Sequence, residues 1–180
     1  MKKNSPVYMI IFLTVLGIIC AGLLSGVNAL TKGKIAENEQ KKLEQSLEAL
    51  NIQSPVIVDV EYVSDDIKGV YEGSYSGNGQ SVSCYVFEVE QKNKFTTFTT
   101  LVAISKDGSL LAITPKGSSG FTTHGMDASF IGNNFGIIGS TSDNFASNFQ
   151  GVSGATYSSA SIKGSIELSY KQFNKIGGNN

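Results

Sequence analysis

Histidine, cysteine and net charge are all scarce in this 180-residue chain, and each scarcity removes a class of function. The single histidine is His124, and the two cysteines, Cys20 and Cys84, lack any metal-type spacing, which argues against a zinc site. Fourteen basic residues against fifteen acidic ones leave a net charge of -1 with no basic cluster, so nucleic acid is not an expected partner. No acid–base pair or nucleophilic triad stands out, so no catalytic residue is assigned and a self-contained substrate-converting enzyme is disfavoured. Gly117-Ser118-Ser119-Gly120 reads as a flexible hinge and not as a phosphate loop, because no Lys-Ser/Thr follows it.

What the chain does have begins with a long apolar run. Lys2 and Lys3 precede a stretch from Val7 to about Leu30, broken only by Thr14, Ser25, Asn28 and glycines. About 24 helical residues span roughly 36 Å, enough to cross a hydrocarbon core of about 30 Å. Such a run is longer than the apolar part of a cleavable signal peptide, although Val27-Asn28-Ala29 passes loosely as a cleavage site. Leu16-Gly17-Ile18-Ile19-Cys20 lacks the small residue a lipoprotein signal needs just before its Cys, against lipidation there. The reading is a retained anchor with a short inner N-terminus and an exported remainder. Lys32 and Lys34 at the far end weaken the charge argument for that orientation. Cys20 in the membrane and Cys84 beyond it cannot pair, so the outer domain must be stable without a disulfide.

Beyond the anchor (1–30), residues 31–52 read as a charged juxtamembrane helix with Leu43, Leu47 and Leu50 on one stripe. A third segment, 53–180, reads as one domain. Val56, Val58, Val60 and Tyr62 alternate with Ile57, Asp59 and Glu61, a strand with one better-buried face. Val70 to Tyr75 predicts a second strand, and Val82 to Val89 a third that is apolar on both faces and therefore central. Phe95 to Ser105 and Leu110 to Thr114 flank Lys106-Asp107-Gly108-Ser109, a hairpin signal. Five strands with helices before and after predict an α+β fold, an antiparallel sheet flanked by helices. Phe145 and Phe149, four apart, share a helical face and are read as core.

The most informative stretch is Gly151-Val152-Ser153-Gly154-Ala155-Thr156-Tyr157-Ser158-Ser159. Ser153, Gly154 and Ala155 are small enough for the backbone to lie close to whatever covers it. From Ser158 the pattern turns helical, with Ile162, Ile166, Tyr170 and Phe173 in register, and Ser158 and Ser159 are the candidate N-caps. Thr156 then stands at a helix mouth, where N–H groups and the positive dipole end favour an anion such as phosphate.

Ser153-Gly154-Ala155-Thr156-x-Ser158 resembles the flavinylation motif of the FMN-binding domain family, roughly Asp-x-x-Ser/Thr-Gly-Ala-Thr-x-Ser/Thr. Gln150 stands where that family usually has Asp. The resemblance implies FMN held covalently through a phosphoester to Thr156, with Ser153, Gly154, Ala155 and Ser158 around it. It also implies a flavin transferase as a maturation partner. The family's cofactor loop, approximately Glu-Thr-Pro-Gly-Leu-Gly, is matched only in part by Thr122 to Asp127. Thr123 and Gly125 agree, and His124 replaces Pro. His124 is read as a surface residue, and Tyr157 or a nearby Phe as a possible cover for one flavin face.

The overall layout is similar to one branch of that family, the G subunit of the Rnf electron-transport complex, related to the C subunit of the sodium-translocating NADH:quinone reductase. This implies a single-pass protein of the bacterial cytoplasmic membrane with its C-terminal domain on the outer face. It would relay electrons among other membrane subunits of an ion-translocating oxidoreductase. Two alternatives stay open: a free-standing anchored flavoprotein in extracellular electron transfer, and a non-redox anchored binding module.

Overall fold

A computed structural model describes residues 6–77, 79–94, 97–116 and 136–177. Its first element is a 44-residue helix, α1, Pro6–Ala49. The apolar part of α1 is long enough to cross a membrane and is exposed throughout, with Leu24 at 72%. The chain divides into two compact units, Met1–Lys41 and Lys42–Asn180.

In the second unit, five strands form an antiparallel sheet whose spatial order is the chain order: β1 (Ile52–Ile57), β2 (Ile67–Gly77), β3 (Gln80–Lys92), β4 (Thr97–Ser105) and β5 (Leu110–Pro115). Each strand is joined to its sequence neighbour, so every pairing is local and needs no crossover. A short helix, α2 (Phe145–Asn148), and a 20-residue helix, α3 (Thr156–Lys175), complete the described elements. This is the α+β arrangement expected from the alternating runs.

Both faces of the sheet are buried, each by a helix. On one face Val70, Phe87, Val89, Val102 and Ile104 meet Ile162, Ile166, Tyr170 and Phe173 of α3. On the other, Cys84, Val86, Leu101 and Ala103 meet Leu47 and Leu50, with Leu43 packed alongside. The central strand β3 therefore carries apolar side chains in both directions, which is why its sequence reads as a continuous run and not as an alternation. The Cys84 thiol is fully buried, and burial pushes it up to about 11. Both cysteines are free thiols.

The same face also holds a polar cluster. Glu88, 6% exposed, pairs with Lys116 at 2.8 Å and accepts a hydrogen bond from the Tyr71 hydroxyl at 3.0 Å. Burial first, then the Glu88 charge, pushes the Tyr71 hydroxyl upward. Along β2, Gly69, Tyr71, Gly73, Tyr75 and Gly77 point to this one face. The Tyr71 ring lies over Gly69 and the Tyr75 ring over Gly77, each within 3 Å of where a methyl would sit. At Gly73 the β1 strand closes in, with Ile52 Cγ2 at 2.8 Å and the Gln53 carbonyl at 3.1 Å from such a methyl.

Strand β1 differs from its expected position. It ends at Ile57, and Val58 and Val60 lie outside the sheet. Both valines still pack against the α3-side core, so their spacing signals one-sided burial in an irregular segment. A register shift between Gln53 and Val56, with Ser54 at φ 50°, interrupts the pairing, which resumes at Val56 and Ile57 before the chain leaves the sheet. The Gln172 side chain of α3 then holds the departing chain. Its Oε1 accepts from the Val63 N–H at 2.8 Å, and its Nε2 donates to the Glu61 carbonyl at 3.1 Å.

The β4–β5 hairpin follows its sequence signal. Gly108 supplies φ 89°, and Asp107 accepts from the Ser105 hydroxyl and from the Ser109 N–H. Those donors hold the Asp107 carboxyl below its ordinary value. Phe145 is buried against Tyr170, ring centroids 5.5 Å apart, and the Tyr170 hydroxyl donates to the Ser140 carbonyl at 2.7 Å. Burial pushes the Tyr170 hydroxyl up to about 12.

Candidate functional site

The segment before α3 is a tight turn whose geometry follows from its residues. The Ala155 N–H donates to the Val152 carbonyl at 3.0 Å, closing a turn over Val152-Ser153-Gly154-Ala155. Gly154 sits at the third position with φ 80°, the backbone state that a type II turn demands there. A methyl on Gly154 would meet nothing within 4 Å among the described residues. Glycine is required here by the backbone angle, and not by a close approach of the kind its small size suggests.

Helix α3 begins at Thr156, two residues earlier than the hydroxyl pattern predicts, with Ala155 as a cap residue that makes no side-chain cap bond. Ser158 and Ser159 do not cap it; both are buried in the first turn. The Ser159 hydroxyl is committed elsewhere, accepting the Val152 N–H at 3.0 Å and bracing the turn against the helix. The first backbone bond of the ladder runs from the Ser159 N–H to the Ala155 carbonyl at 2.9 Å. The Thr156 and Ser158 amides therefore come ahead of the helix's own ladder. No acidic side chain occupies the first turn, so the positive end of the helix dipole is not neutralised locally.

Placed on this frame, the sequence-selected residues separate. Thr156, Ser153 and Gly154 are exposed, whereas Ala155 and Ser158 are buried, Ala155 within the α3-side core. Ala155 anchors the turn, and Thr156 beside it faces outward. Gln150 is also exposed. Thr123, His124 and Gly125 lie outside the described residues, as does the Gly117–Gly120 hinge.

Beside the first turns of α3 is an open groove of about 360 Å³ that the sequence did not single out; Thr156 is not among the residues that line it. Gln91, Lys92, Asn93 and Lys94, at the end of β3, form one wall; Tyr157, Ala160 and Ser161 of α3 form the other. Tyr157 is half-exposed, and the Lys94 ammonium stands 5.8 Å from its ring centroid. Gly164, one turn beyond Ala160, lets the Gln91 side chain come close, its Oε1 being 3.1 Å from where a methyl would sit. A polar Gln-Lys-Asn-Lys run closing an apolar strand was the available signal, but only tertiary packing sets it against the head of α3. Among the described residues, no group of three or more His, Cys, Asp or Glu side chains could hold a metal ion.

Chemically, the site offers an exposed secondary hydroxyl on a rigid helix start, an electropositive backbone end and an adjacent groove with two lysines. Comparison with curated proteins finds no match to the chain. In the N-terminal part, residues 11–50, the apolar helix and its charged continuation, match the family model of the RnfG N-terminal region, and that helix is long and apolar enough to cross a membrane.

Proposed function

We propose that this chain is an electron-transfer flavoprotein carrying FMN through a phosphoester to Thr156, within an Rnf-type ion-translocating oxidoreductase complex. The observation that carries the reading is the exposed Thr156 hydroxyl at the first position of α3, directly after Ser153-Gly154-Ala155. The match of residues 11–50 to the RnfG N-terminal region supports it independently, from the other end of the chain.

The residues fit the group. A phosphodiester on Thr156 retains one negative charge, and the α3 N-terminus, free of acidic neighbours in its first turn, stabilises it. The Gly154 turn and the Ser159 brace fix where the hydroxyl points. Threonine is a weak nucleophile with no base beside it in the motif, so attachment is assigned to a separate flavin transferase. Bound FMN supplies one- and two-electron exchange; the protein supplies tether, orientation and electrostatic surroundings. The domain lies on the outer face of the cytoplasmic membrane, where a covalent link prevents loss of a cofactor that would not return. The Thr123–Gly125 loop remains a second proposed contact with the flavin.

Co-expression of the full chain with a flavin transferase tests this. Intact mass should show one added FMN, and the denatured band should fluoresce under ultraviolet light, because only a bonded flavin survives denaturation. Thr156→Ala should abolish both signals, and Thr156→Ser should retain part. A folded wild-type chain that stays unmodified would sink the reading in favour of an anchored binding module.

A further inference from the structure

We propose that Ser159 is the positioning residue for cofactor attachment, and that the flavin transferase takes the folded domain, not the unfolded chain, as its substrate. This rests on the flavin reading above and adds to it a residue outside the Ser153–Ser158 motif and an order of events, folding before loading. Three observations carry it.

Thr156 lies between two fixed points. Ahead of it, the Val152 carbonyl accepts the Ala155 N–H at 3.0 Å; behind it, the Ser159 hydroxyl accepts the Val152 N–H at 3.0 Å. Both backbone groups of Val152 are thus engaged, one by the turn and one by the helix, and the residues between are held in a closed loop. Secondly, Ser159 is 4% exposed and Ala155 3%, and Ala155 shares a core with Ile162 and Ile166. Brace and anchor therefore exist only once α3 has packed on the sheet. Thirdly, the outer side of the turn is open: Thr156, Ser153 and Gly154 are exposed, and a methyl on Gly154 would meet nothing within 4 Å among the described residues. Attachment is a group transfer. The bond from Thr156 Oγ to phosphorus forms as a pyrophosphate P–O bond of a flavin dinucleotide breaks, the second nucleotide leaves as a monophosphate, and the threonine proton passes to a base of the transferase. Such a displacement needs the hydroxyl in line with the leaving group, which a fixed turn supplies. An unfolded chain offers neither point, and ordering it would draw on the transferase's own binding energy.

The test uses the full chain purified in detergent without flavin, incubated with a flavin transferase and a flavin dinucleotide and followed by intact mass. Wild type is compared with Ser159→Ala, Ile166→Asp and the double variant. Ser159 lies in the first turn of α3 and alanine is the better helix former, so the single variant should fold and melt cooperatively. Without the brace the Val152 N–H loses its partner, and loss of one such bond should leave the turn competent about a tenth of the time. Chains with the turn open count as absent, so the apparent KM should rise about tenfold at unchanged kcat. A merely structural role would move the melting temperature and leave the KM of the folded chain as it was. Ile166→Asp puts a carboxylate at a fully buried core position and should unfold the packing of α3 on the sheet. It should load more slowly than Ser159→Ala, and adding the second substitution there should change nothing. Should Ser159→Ala not melt cooperatively, Ile166→Asp still decides whether folding precedes loading. Equal KM for wild type and Ser159→Ala, or loading of Ile166→Asp as fast as wild type, overturns the proposal while leaving FMN on Thr156 standing. Wild type that takes no FMN overturns both.

Discussion

At the scale of single residues, the informative side chains are those whose surroundings change their chemistry. Cys84 is buried in the middle of β3, and its thiol rises from 9.0 to about 11. The folded state binds that proton more tightly than the unfolded chain. Stability from this residue is therefore complete below pH 9 and falls as pH rises toward 11. We expect the unfolding midpoint in urea to decline over that window, and Cys84→Ala to remove the part of the decline that begins near pH 9 while lowering the midpoint at neutral pH; the part above pH 10 also belongs to the raised Tyr71 and Tyr170 hydroxyls. A pH profile unchanged by the substitution would contradict the burial. The turn before α3 shows what is legible at this scale. Ser153-Gly154-Ala155-Thr156 could be read as a motif, but the sequence did not reveal that Ala155 points inward, nor that Ser159 bonds the Val152 N–H and does not cap the helix. Those roles depend on which way one turn of backbone faces the core.

Among the elements, the pairing of β1 with β2 is the most exposed to a small change. The sequence Gly69-x-Tyr71-x-Gly73-x-Tyr75-x-Gly77 places glycine and tyrosine alternately on one face. Two of these glycines lie under tyrosine rings, an arrangement in which an aromatic covers the gap a glycine leaves. Gly73 is different, because backbone and side chain of β1 press on it. Gly73→Ala should cost about 1–3 kcal/mol, the usual range for overpacking, measured by urea denaturation. A cost within experimental error would mean that β1 moves aside freely. Central strands were easy to recognise: the two-sided apolar run of β3 and the Asp107-Gly108 hairpin both act locally. The position of β1 was not, because Val58 and Val60 are partly buried against a core cluster that includes α3 residues about a hundred positions away, and no local pattern separates that from a strand. The groove at Gln91–Lys94 escaped for the same reason.

For the molecule as a whole, the division at Lys41 and Lys42 has an energetic meaning. Within the second unit, Leu43, Leu47 and Leu50 cover Cys84, Val86, Leu101 and Ala103. A chain starting at residue 42 should be soluble without detergent and melt cooperatively. Deleting through residue 51 as well removes three leucines worth about 1.5–3 kcal/mol each, a large share of a stability that is typically about 5–15 kcal/mol. That shorter chain should be unfolded or aggregated by circular dichroism and gel filtration. Cooperative melting of both would show that the leucine face is dispensable.

Helix α3 has a consequence for how the polypeptide matures. It lies last among the described elements, yet it supplies Ile162, Ile166, Tyr170 and Phe173 to the core that covers Phe87 and Val89, and its Gln172 reaches back 109 residues to Val63. The sheet can pair strand by strand as it emerges, but one of its apolar faces stays bare until α3 has been made. Until then those apolar side chains are open to chaperones or to other chains. The order of elements thus makes closure of that face wait on α3.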